Sequence, residues 1–592
     1  MPWAQPTEPY LPMGTAHSVL CEAGYTVDSF SFHVEFLSFL FARNPSLCSV
    51  SKYQLIPSNR GLGDWIFSRE KDAYEAKGSA NEESFVSQFV KGGRWGSDVI
   101  EYASAVAQYA DQFVEACLEA IISKVPDLVV LFPCEHEYKP CLSLAEKLAA
   151  IGIRVGFCGA SCERPFGPAL LETFPCLSFA MGTDGDLTAD QWIGEVYAHR
   201  RPRPTVNSFD SLPCPNFDEY FGRLSVSPAR SQLIGQVWLP LETSRGCWWA
   251  ERAQCDFCAL LGASPKMRSV RKVDEFCRQA KYLVERHGIF SIHLMDWIQE
   301  RDARGGLFEA LVSNKVDARF YVQLRPTADA QTLTALALMG AYVQVGIESI
   351  SSETLIRMRK GTNLLQVVQC LRRCRQFGVK ANWNFIASYP GTTDEEYEDM
   401  LRIIPLLTHL CPPDIHPFRL KRGSPMFADL RKEGLTEVAL PFWYRQVYPE
   451  LSDGELWGIA DELELRGEYG DRDKSNEVLG ALTTWKRYWE RQTPPRLTYR
   501  AVGDTLEIRD FRPTYGPARY IFRAVEREIL RVCDEGVSRT RVVAMAKETD
   551  PEITVAAVGT YLEQLIRAGL VIYVDKRYLA LAVPESGAAQ LE

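Results

Sequence analysis

Apolar positions along this chain switch between two periods. Stretches with apolar residues three and four apart, the spacing of a helix face, alternate with short runs that alternate or are apolar throughout, the signature of strands. In the first third, Met13 to Ala23 reads as a helix, Tyr25 to His33 alternates like a strand, and Asp98 to Lys124 reads as one long helix. Asp127 to Phe132 then reads as a buried strand, Leu142 to Ala150 as a helix, and Arg154 to Cys158 and Leu177 to Met181 as strands. Strands alternating with helices predict a doubly wound, Rossmann-like parallel sheet. The start, MPWA, falls where a further strand would be ending. Ligands of such sheets bind beyond the carboxyl ends of the strands. The small-residue loop Gly159 to Ser161 follows one such end, where backbone approaches a ligand closely.

The middle of the chain carries six strand–helix units. Their strands are Gln236 to Leu241, Phe290 to Met295, Ala318 to Leu324, Tyr342 to Ile347, Ala381 to Ala387 and Asp414 to Leu420. This pattern predicts a partial (β/α)6 barrel, whose site lies at the strand C-termini. Cys247 through Cys258, Asp296, Arg325, Glu348, Ser388 and Arg419 all fall at or just past those ends. Beyond the barrel, Glu437 to Gln492 reads as a helical cap rich in Trp and Tyr. A hairpin from Leu497 to Ile508, turning at Gly503 and Asp504, precedes helices at Pro517 to Cys533, Ser538 to Thr549 and Thr554 to Ala568. A last hairpin, Gly569 to Leu581, turns at Asp575 and Lys576 and completes a winged-helix-like pattern. The fold class expected is therefore α/β, with domains at 1–205, 236–430, 431–495 and 496–592, and a linker over 206–235 that follows the Pro-rich RRPRPT, Arg200 to Thr205.

Composition narrows the function. A length of 592 residues with 46% hydrophobic content supports several cores. A net charge of −10 gives a nucleic-acid partner no bulk electrostatic support, and the candidate reading helix of the winged-helix pattern, TVAAVGTYLEQLIRAG, carries few cations. No run of 18 apolar residues predicts a membrane span, and MPWAQPTEPY does not read as a signal peptide. Seventeen cysteines, an odd count without an export signal, read as free thiols in a reducing cytoplasm.

The chemistry concentrates in TSRGCWWAERAQCDFCALLGASPKM, from Thr243 to Met267. Cys247, Cys255 and Cys258 stand in a C-x7-C-x2-C pattern, and thiolates suit zinc or iron–sulfur clusters. A structural zinc site closes with four ligands, and neither a second C-x2-C nor a His pair lies nearby. On spacing alone, three cysteines without a fourth read either as an iron–sulfur cluster with one iron left open for a substrate or cosubstrate, or as one loose C-x2-C plus a buried cysteine.

The segment RGCWW…C-x-F-C resembles the radical S-adenosylmethionine (SAM) enzymes that modify ribosomally made peptides (RiPPs), although the first cysteine gap is longer than the C-x3-C-x2-C usual in radical SAM enzymes. VGIESISSETLIRMRKGT, NFIASYPGTTDEEY and RLKRGSP resemble later strands of the same enzymes, and GLGDWIF and GASCERPFGPAL resemble their cobalamin-binding domain. The chain thus resembles the cobalamin-dependent radical SAM C-methyltransferases of RiPP maturation, among them the tryptophan 2-C-methyltransferases of thiostrepton-type biosynthesis. The resemblance implies three cofactors: a [4Fe-4S] cluster on Cys247, Cys255 and Cys258, SAM contacted by Glu348 and Ser349, and cobalamin in the N-terminal domain. Asp296, at a strand end, is a further candidate for SAM's amino group, Arg419, at another, is a candidate for cofactor binding, and Arg60, just before GLGDW, is a candidate for the lower face of cobalt. The D-x-H-x-x-G cobalamin motif is absent, and His136 in CEHEYK lacks its flanking Asp and Gly. The GGE-type segment usual after the second strand is replaced by MDWIQ.

Two chemistries fit that family. In one, a 5′-deoxyadenosyl radical takes hydrogen from an unactivated carbon, which methylcobalamin then methylates; cyclisation or epimerisation of a peptide is a related outcome. In the other, methylcobalamin passes a methyl cation equivalent to nucleophilic carbon such as indole C2 of tryptophan, and Tyr321 and Tyr389 are candidate bases. The expected partners are an amino acid or precursor-peptide substrate and an electron donor such as flavodoxin or ferredoxin, with neither nucleic acid nor membrane. A reading from another class, a zinc-stabilised scaffold with a winged-helix regulator of transcription, requires a basic recognition helix, which this sequence lacks.

Overall fold

A computed structural model describes residues 1–57, 61–68, 97–133, 138–163, 165–182, 209–259, 269–296, 306–432, 438–465 and 472–585. The chain divides into two compact units. One comprises Met1–Gly246, Ala259–Met295 and Leu420–Leu465, the other Cys247–Cys258, Asp296–Arg419 and Arg466–Glu592. The fold is α/β, built on parallel sheets flanked by helices.

In the first unit, Leu128–Leu131, Arg154–Cys158 and Ala180–Met181 form a parallel sheet in that order, with Leu128 opposite Arg154 and Phe157 opposite Ala180. Val155, Phe157 and Cys158 are fully buried, as a sheet covered by helices requires. Two expectations are corrected here. Tyr25 to His33 is not a strand: the helix Phe32–Arg43 begins inside it. The pattern F-x-F-x-V-x-F satisfies both periods, and Phe32, Phe36, Phe39 and Leu40 also share one helix face. Glu219 decides between them, because its Oε2 accepts from Ser31 N (2.8 Å) and Ser31 Oγ (2.6 Å) and holds that backbone out of a ladder. The long helix from Asp98 is two, Ser97–Ala107 and Ala110–Ile122, separated where Tyr109 N turns back to Val106 O at 3.0 Å.

The same unit holds the parallel pair Leu239–Leu241 and Ser291–Leu294, with Leu239 opposite Ile292, and the connecting helix Val273–His287. It also holds the segment expected to open the helical cap. That segment is mixed: Val438–Ala439 and Glu462–Leu465 are strands, and Leu420–Lys421 pairs antiparallel with the latter. The run E-L-E-L has the two-residue period of a strand. It is fixed by Asp461, which accepts from Tyr444 Oη at 2.9 Å and Lys421 Nζ at 2.9 Å.

In the second unit, Arg319–Leu324, Tyr342–Glu348, Lys380–Ala387 and Asp414–Pro417 pair in parallel in sequence order. Side chains along the first two alternate between buried and half-buried. The intervening helices are capped as their sequences prescribe. Asn363 with Gln366 and Thr393 with Glu396 form capping boxes that start Leu364–Phe377 and Asp394–Leu407. The helix Arg472–Trp489 is pinned by Trp485, whose indole donates to Leu410 O at 2.9 Å.

The C-terminal part begins with the hairpin Leu497–Val502 and Thr505–Asp510, turning at Gly503 and Asp504. The expected helix from Pro517 is another correction. Ala518–Arg523 is a strand antiparallel to Thr505–Asp510, and only Ala524–Val532 is helical. Alternation in A-R-Y-I-F-R places Tyr520 and Phe522 on one side and Arg519, Ile521 and Arg523 on the other. Helices Arg539–Thr549 and Val555–Arg567 follow, then the hairpin Val571–Val574 and Arg577–Ala580, whose turn residues Asp575 and Lys576 both have positive φ.

Candidate active site at the cysteine loop

The segment Cys247–Cys258 is a chain of turns. Ala250 N bonds back to Cys247 O (3.0 Å), Ala253 N to Trp249 O (2.9 Å) and Cys258 N to Cys255 O (3.1 Å). Two bonds anchor it to the segment after the Tyr342–Glu348 strand. Asp256 N donates to Met358 O at 2.9 Å, and Trp249 Nε1 donates to Arg359 O at 2.9 Å. The indole lies against Gly361 (φ +66°), where a β-carbon would come within 2.1 Å of the ring. The glycine of M-R-K-G is therefore needed for close approach, as well as for its backbone angle.

This anchoring brings two buried cations to the thiols. Lys360, 7% exposed, donates from Nζ to Glu348 Oε1 at 3.1 Å, and it lies over the Phe257 ring at 5.6 Å. Arg325, 5% exposed, donates from Nη2 to Lys360 O, and its guanidinium lies 4.5 Å from the Trp249 ring centroid and 5.4 Å from that of Trp248. Its Nε is buried without a hydrogen-bond partner, and the side chain lies within reach of the Cys255 thiol. Burial pushes the Cys258 thiol up to about 12, with Cys255 and Cys247 adding to the rise and Lys360 opposing it. Burial also raises Cys255, against the pull of Lys360 and Arg325. The three thiols are thus electrostatic neighbours.

Among the described residues, no three His, Cys, Asp or Glu side chains are drawn round one metal-ion position. A cubane cluster places each thiolate on a different iron, so it needs neighbouring sulfurs, soft donors and compensating positive charge. The triad, Arg325 and Lys360 supply these, and the unpartnered Arg325 Nε offers a donor to sulfur or sulfide. The residues present fit a [4Fe-4S] group.

Glu348 and Ser388 end neighbouring strands with φ of +73° and +53°. Non-glycine residues held in that region cost roughly 1–3 kcal/mol each and cluster at functional sites. Glu348 thereby meets Lys360, and Ser388 Oγ meets Ser475 Oγ at 3.1 Å. Ser349 is 1% exposed and its Oγ accepts from Ser351 N at 3.2 Å, so the hydroxyl shapes the turn. Tyr389 is buried and its phenol donates to Asp256 Oδ2 at 3.3 Å; burial and the Asp256 charge push its pKa well above the usual phenol value. Asp296 is fully buried and Arg419 is half-buried, both in this unit. Tyr321 stands apart. It lies opposite Tyr342, the first residue of the strand that ends in Glu348, and its hydroxyl reaches Gln344 Oε1 at 3.5 Å.

Sequence reasoning placed Arg325 at a strand end but gave no role to Lys360, Asp256 or Trp249. The signal for them was the M-R-K-G segment and the W-W and C-D-F-C runs, whose polar members acquire partners only through the loop's docking.

In the first unit, Gly159 has φ +120° and ψ −179°, a conformation open essentially to glycine alone. Its N–H donates to Met181 O at 3.0 Å, and a β-carbon there would meet nothing nearer than Tyr10 Oη at 3.7 Å. Ser161 is buried and donates to Pro133 O at 2.7 Å, tying two strand-end loops together. Asp64 of GLGDW is 1% exposed and accepts from Lys139 N (2.9 Å) and Tyr448 Oη (3.2 Å); burial pushes its carboxyl up to about 7. Arg60 and His136 lie outside the described residues. No helix among the described residues is long and apolar enough to cross a membrane.

Residues 241–404 match the sequence model of the Radical SAM superfamily, a span that takes in the cysteine loop and the Glu348–Lys360 pair. An uncharacterized methyltransferase of Pyrococcus horikoshii is 23% identical over 40% of this chain and 55% of its own length. The hopanoid C-3 methylase of Methylococcus capsulatus is 27% identical over 27% of this chain and 30% of its own. The chain therefore spans about half the length of the first of these relatives and about a third of the second. Among solved structures, the cobalamin-dependent SAM radical enzyme OxsB with aqua-cobalamin bound is similar at 14% identity and a TM-score of 0.45, over 64% of this chain and 60% of that one. The radical SAM methyltransferase TsrM of Kitasatospora setae, with tryptophan and a SAM analog bound, gives 15% identity and a TM-score of 0.45 over 62% and 80%.

Proposed function

We propose that this protein is a cobalamin-dependent radical SAM C-methyltransferase. The observation that carries the proposal is the thiol triad docked on M-R-K-G beside two buried cations, within the span that matches the Radical SAM superfamily. The names of the two curated relatives, both methyl-transferring enzymes, support methyl transfer. When bound, the cluster, SAM and cobalamin supply one-electron chemistry and a transferable methyl group; the protein supplies binding and orientation.

Cys247, Cys255 and Cys258 hold the cluster, and their number leaves one iron for SAM. Glu348, turned by its positive φ, offers its carboxylate to the SAM amino group while Lys360 fixes its direction. Asp296, buried in the same unit, is a candidate for the SAM amino group, and Arg419 for cofactor binding. Ser349 acts through the turn it shapes. Tyr389 orients Asp256 as a donor, and its raised pKa keeps the phenol protonated at neutral pH. Gly159 lines the face that receives the corrin, where the absence of a side chain leaves room, and Arg60, outside the described residues, keeps its candidacy for the lower face of cobalt.

The substrate class that fits the RiPP-like motifs is an amino acid or precursor-peptide residue in peptide natural-product biosynthesis, with indole C2 of tryptophan as the first candidate. A redox-carrier protein such as flavodoxin or ferredoxin supplies the electron. The runner-up keeps the same cluster and SAM but acts at an unactivated carbon by hydrogen abstraction, ending in methylation, cyclisation or epimerisation.

Replacing Cys247, Cys255 or Cys258 by Ala is expected to remove the cluster and all turnover. Anaerobic iron and sulfide analysis reads the outcome, and unchanged iron in all three variants refutes the assignment. Hydroxocobalamin is expected to bind the wild-type protein; absence of its spectrum after reconstitution transfers the case to a cobalamin-free radical maturase. Mass spectrometry of assays containing SAM, methylcobalamin and tryptophan or tryptophan-containing peptides distinguishes the substrates.

A further inference from the structure

We propose that Arg325 and Lys360 form a fixed cationic wall behind the cysteine loop that raises the reduction potential of the iron–sulfur centre, so that they act as positioning charges for its electron uptake. The inference rests on the reading of Cys247, Cys255 and Cys258 as cluster ligands, and extends it to how readily that centre accepts an electron.

The geometry is specific to charge. Both cations are more than nine-tenths buried, where a charge retains its field instead of losing it to water. Lys360 has Glu348 as its carboxylate, at 3.1 Å. The ammonium also lies over the ring of Phe257, the residue before Cys258, at 5.6 Å. It therefore stands against the cysteine loop itself. Arg325 forms no carboxylate salt bridge among the described residues. Its Nη2 goes to a carbonyl, its face lies on Trp249 and Trp248, and its Nε is unpartnered. A guanidinium stays charged in proteins, so its countercharge has to come from the thiolates and whatever they hold.

The two cations are also one rigid piece. Arg325 bonds to the carbonyl of Lys360, and Trp249, docked on the Arg359 carbonyl and against Gly361, covers the guanidinium. The same M-R-K-G turn thus presents a backbone acceptor to the cysteine loop and a cation to its sulfurs. Three thiolates make the centre anionic, and one added electron, donated by a redox carrier or in vitro by dithionite, makes it more so by one charge. Fixed positive charge stabilises the reduced state over the oxidised one, and the stabilisation appears as a higher midpoint potential.

The test is a potentiometric titration of the full-length, anaerobically reconstituted protein without SAM, following the reduced cluster by electron paramagnetic resonance. Arg325→Gln and Lys360→Met are each expected to weaken reduction at least tenfold, a fall of about 60 mV for a one-electron couple. Arg325→Lys and Lys360→Arg, which keep the charge, are expected to stay within about 15 mV of wild type on the same scale. Trp249→Phe disturbs the same packing without altering charge, and is also expected to stay within that band. The proposal is overturned if the neutral variants hold a full cluster at the wild-type potential. It is overturned equally if Trp249→Phe lowers the potential as far as they do, since packing would then be the cause. Should the neutral variants fail to assemble a cluster, a tenfold shift in the charge-keeping variants overturns it. A wild-type protein that takes up no iron or sulfide refutes the cluster assignment itself, an outcome separate from all of these.

Discussion

The two parallel sheets end in opposite ways. In the second unit the strand ends carry charge and strain: Arg325 buried on indole rings, Glu348 and Ser388 at positive φ, Lys360 folded back on Glu348. In the first unit the loop after Arg154–Cys158 is Gly159, Ala160 and Ser161, neutral and small, with its one hydroxyl turned to a backbone carbonyl. The contrast separates two tasks. Ionic strand ends suit a small anionic centre and a zwitterionic ligand, because buried charges are stable only when paired and correctly placed. A bare neutral loop suits a large ligand met mainly through backbone. Each of the following substitutions strikes one side of that contrast.

The largest stability effect is expected at Glu396. Its carboxylate accepts from Ser351 Oγ (2.9 Å), Thr354 Oγ1 (2.8 Å), Thr393 N (2.8 Å) and both ways from Arg357 (2.6 and 2.5 Å). Burial alone would raise its pKa, but these bonds outweigh burial and hold the group below the ordinary glutamate range. Glu396→Ala strands the Arg357 guanidinium and three donors, and breaking such a pair costs about 3–5 kcal/mol. Hydrogen exchange is expected to quicken over 351–357 and 393–397, with the sheet at 128–158 unaffected. Uniform loss of protection in both units would erase the distinction between an ionically held site and a neutral one.

That network also marks the limit of what the sequence discloses. The βα periodicity and the turns at Gly503 and Asp575 are local properties, written in neighbouring residues, and they were legible. The strand at Ala518–Arg523 was misread because its apolar residues satisfy a helix period as well as a two-residue one, and only pairing with Thr505–Asp510 selects the latter. Ser31 was misread for a similar reason, since the Glu219 that fixes it lies far along the chain. In the site, the cysteines and Glu348 announced themselves by spacing and strand-end position. Lys360, Trp249 and Asp256 did not, because their roles arise from a loop docking on a segment about a hundred residues later.

A smaller effect, with a definite sign in pH, belongs to Asp64. Its carboxyl is pushed up to about 7 from 3.8 by burial, only partly offset by the bonds from Lys139 N and Tyr448. The folded state therefore binds a proton that the unfolded chain has released between about pH 4 and 7, and the stability due to this group falls as pH rises through that window. Below the window both states are protonated, and above it both are ionised. At 1.36 kcal/mol per unit the span is on the order of 4 kcal/mol at most. Asp64→Asn keeps an acceptor for Lys139 N and removes the titration, so the variant is expected to gain on wild type steadily from pH 4 to 7. Parallel stability profiles across that range would show that Asp64 carries no such penalty and that the first unit holds its charge as readily as the second.

The smallest effect is expected at Gly159, and it bears most directly on the neutral loop. A β-carbon there has space, its nearest neighbour being Tyr10 Oη at 3.7 Å, so Gly159→Ala is resisted by backbone conformation alone. Holding φ +120° and ψ −179° with a side chain costs roughly 1–3 kcal/mol. The chain can relieve part of that by rotating the loop, at the expense of the Gly159 N–H bond to Met181 O. Thermal unfolding is thus expected to fall by only a few degrees, while hydroxocobalamin affinity falls tenfold or more, because the added methyl stands on the face proposed to receive the corrin. Iron content is expected to stay at the wild-type level, since the cysteine loop belongs to the other unit. Loss of stability with unchanged cobalamin affinity would leave Gly159 a turn residue and nothing more, and the neutral loop would lose its claim to a ligand.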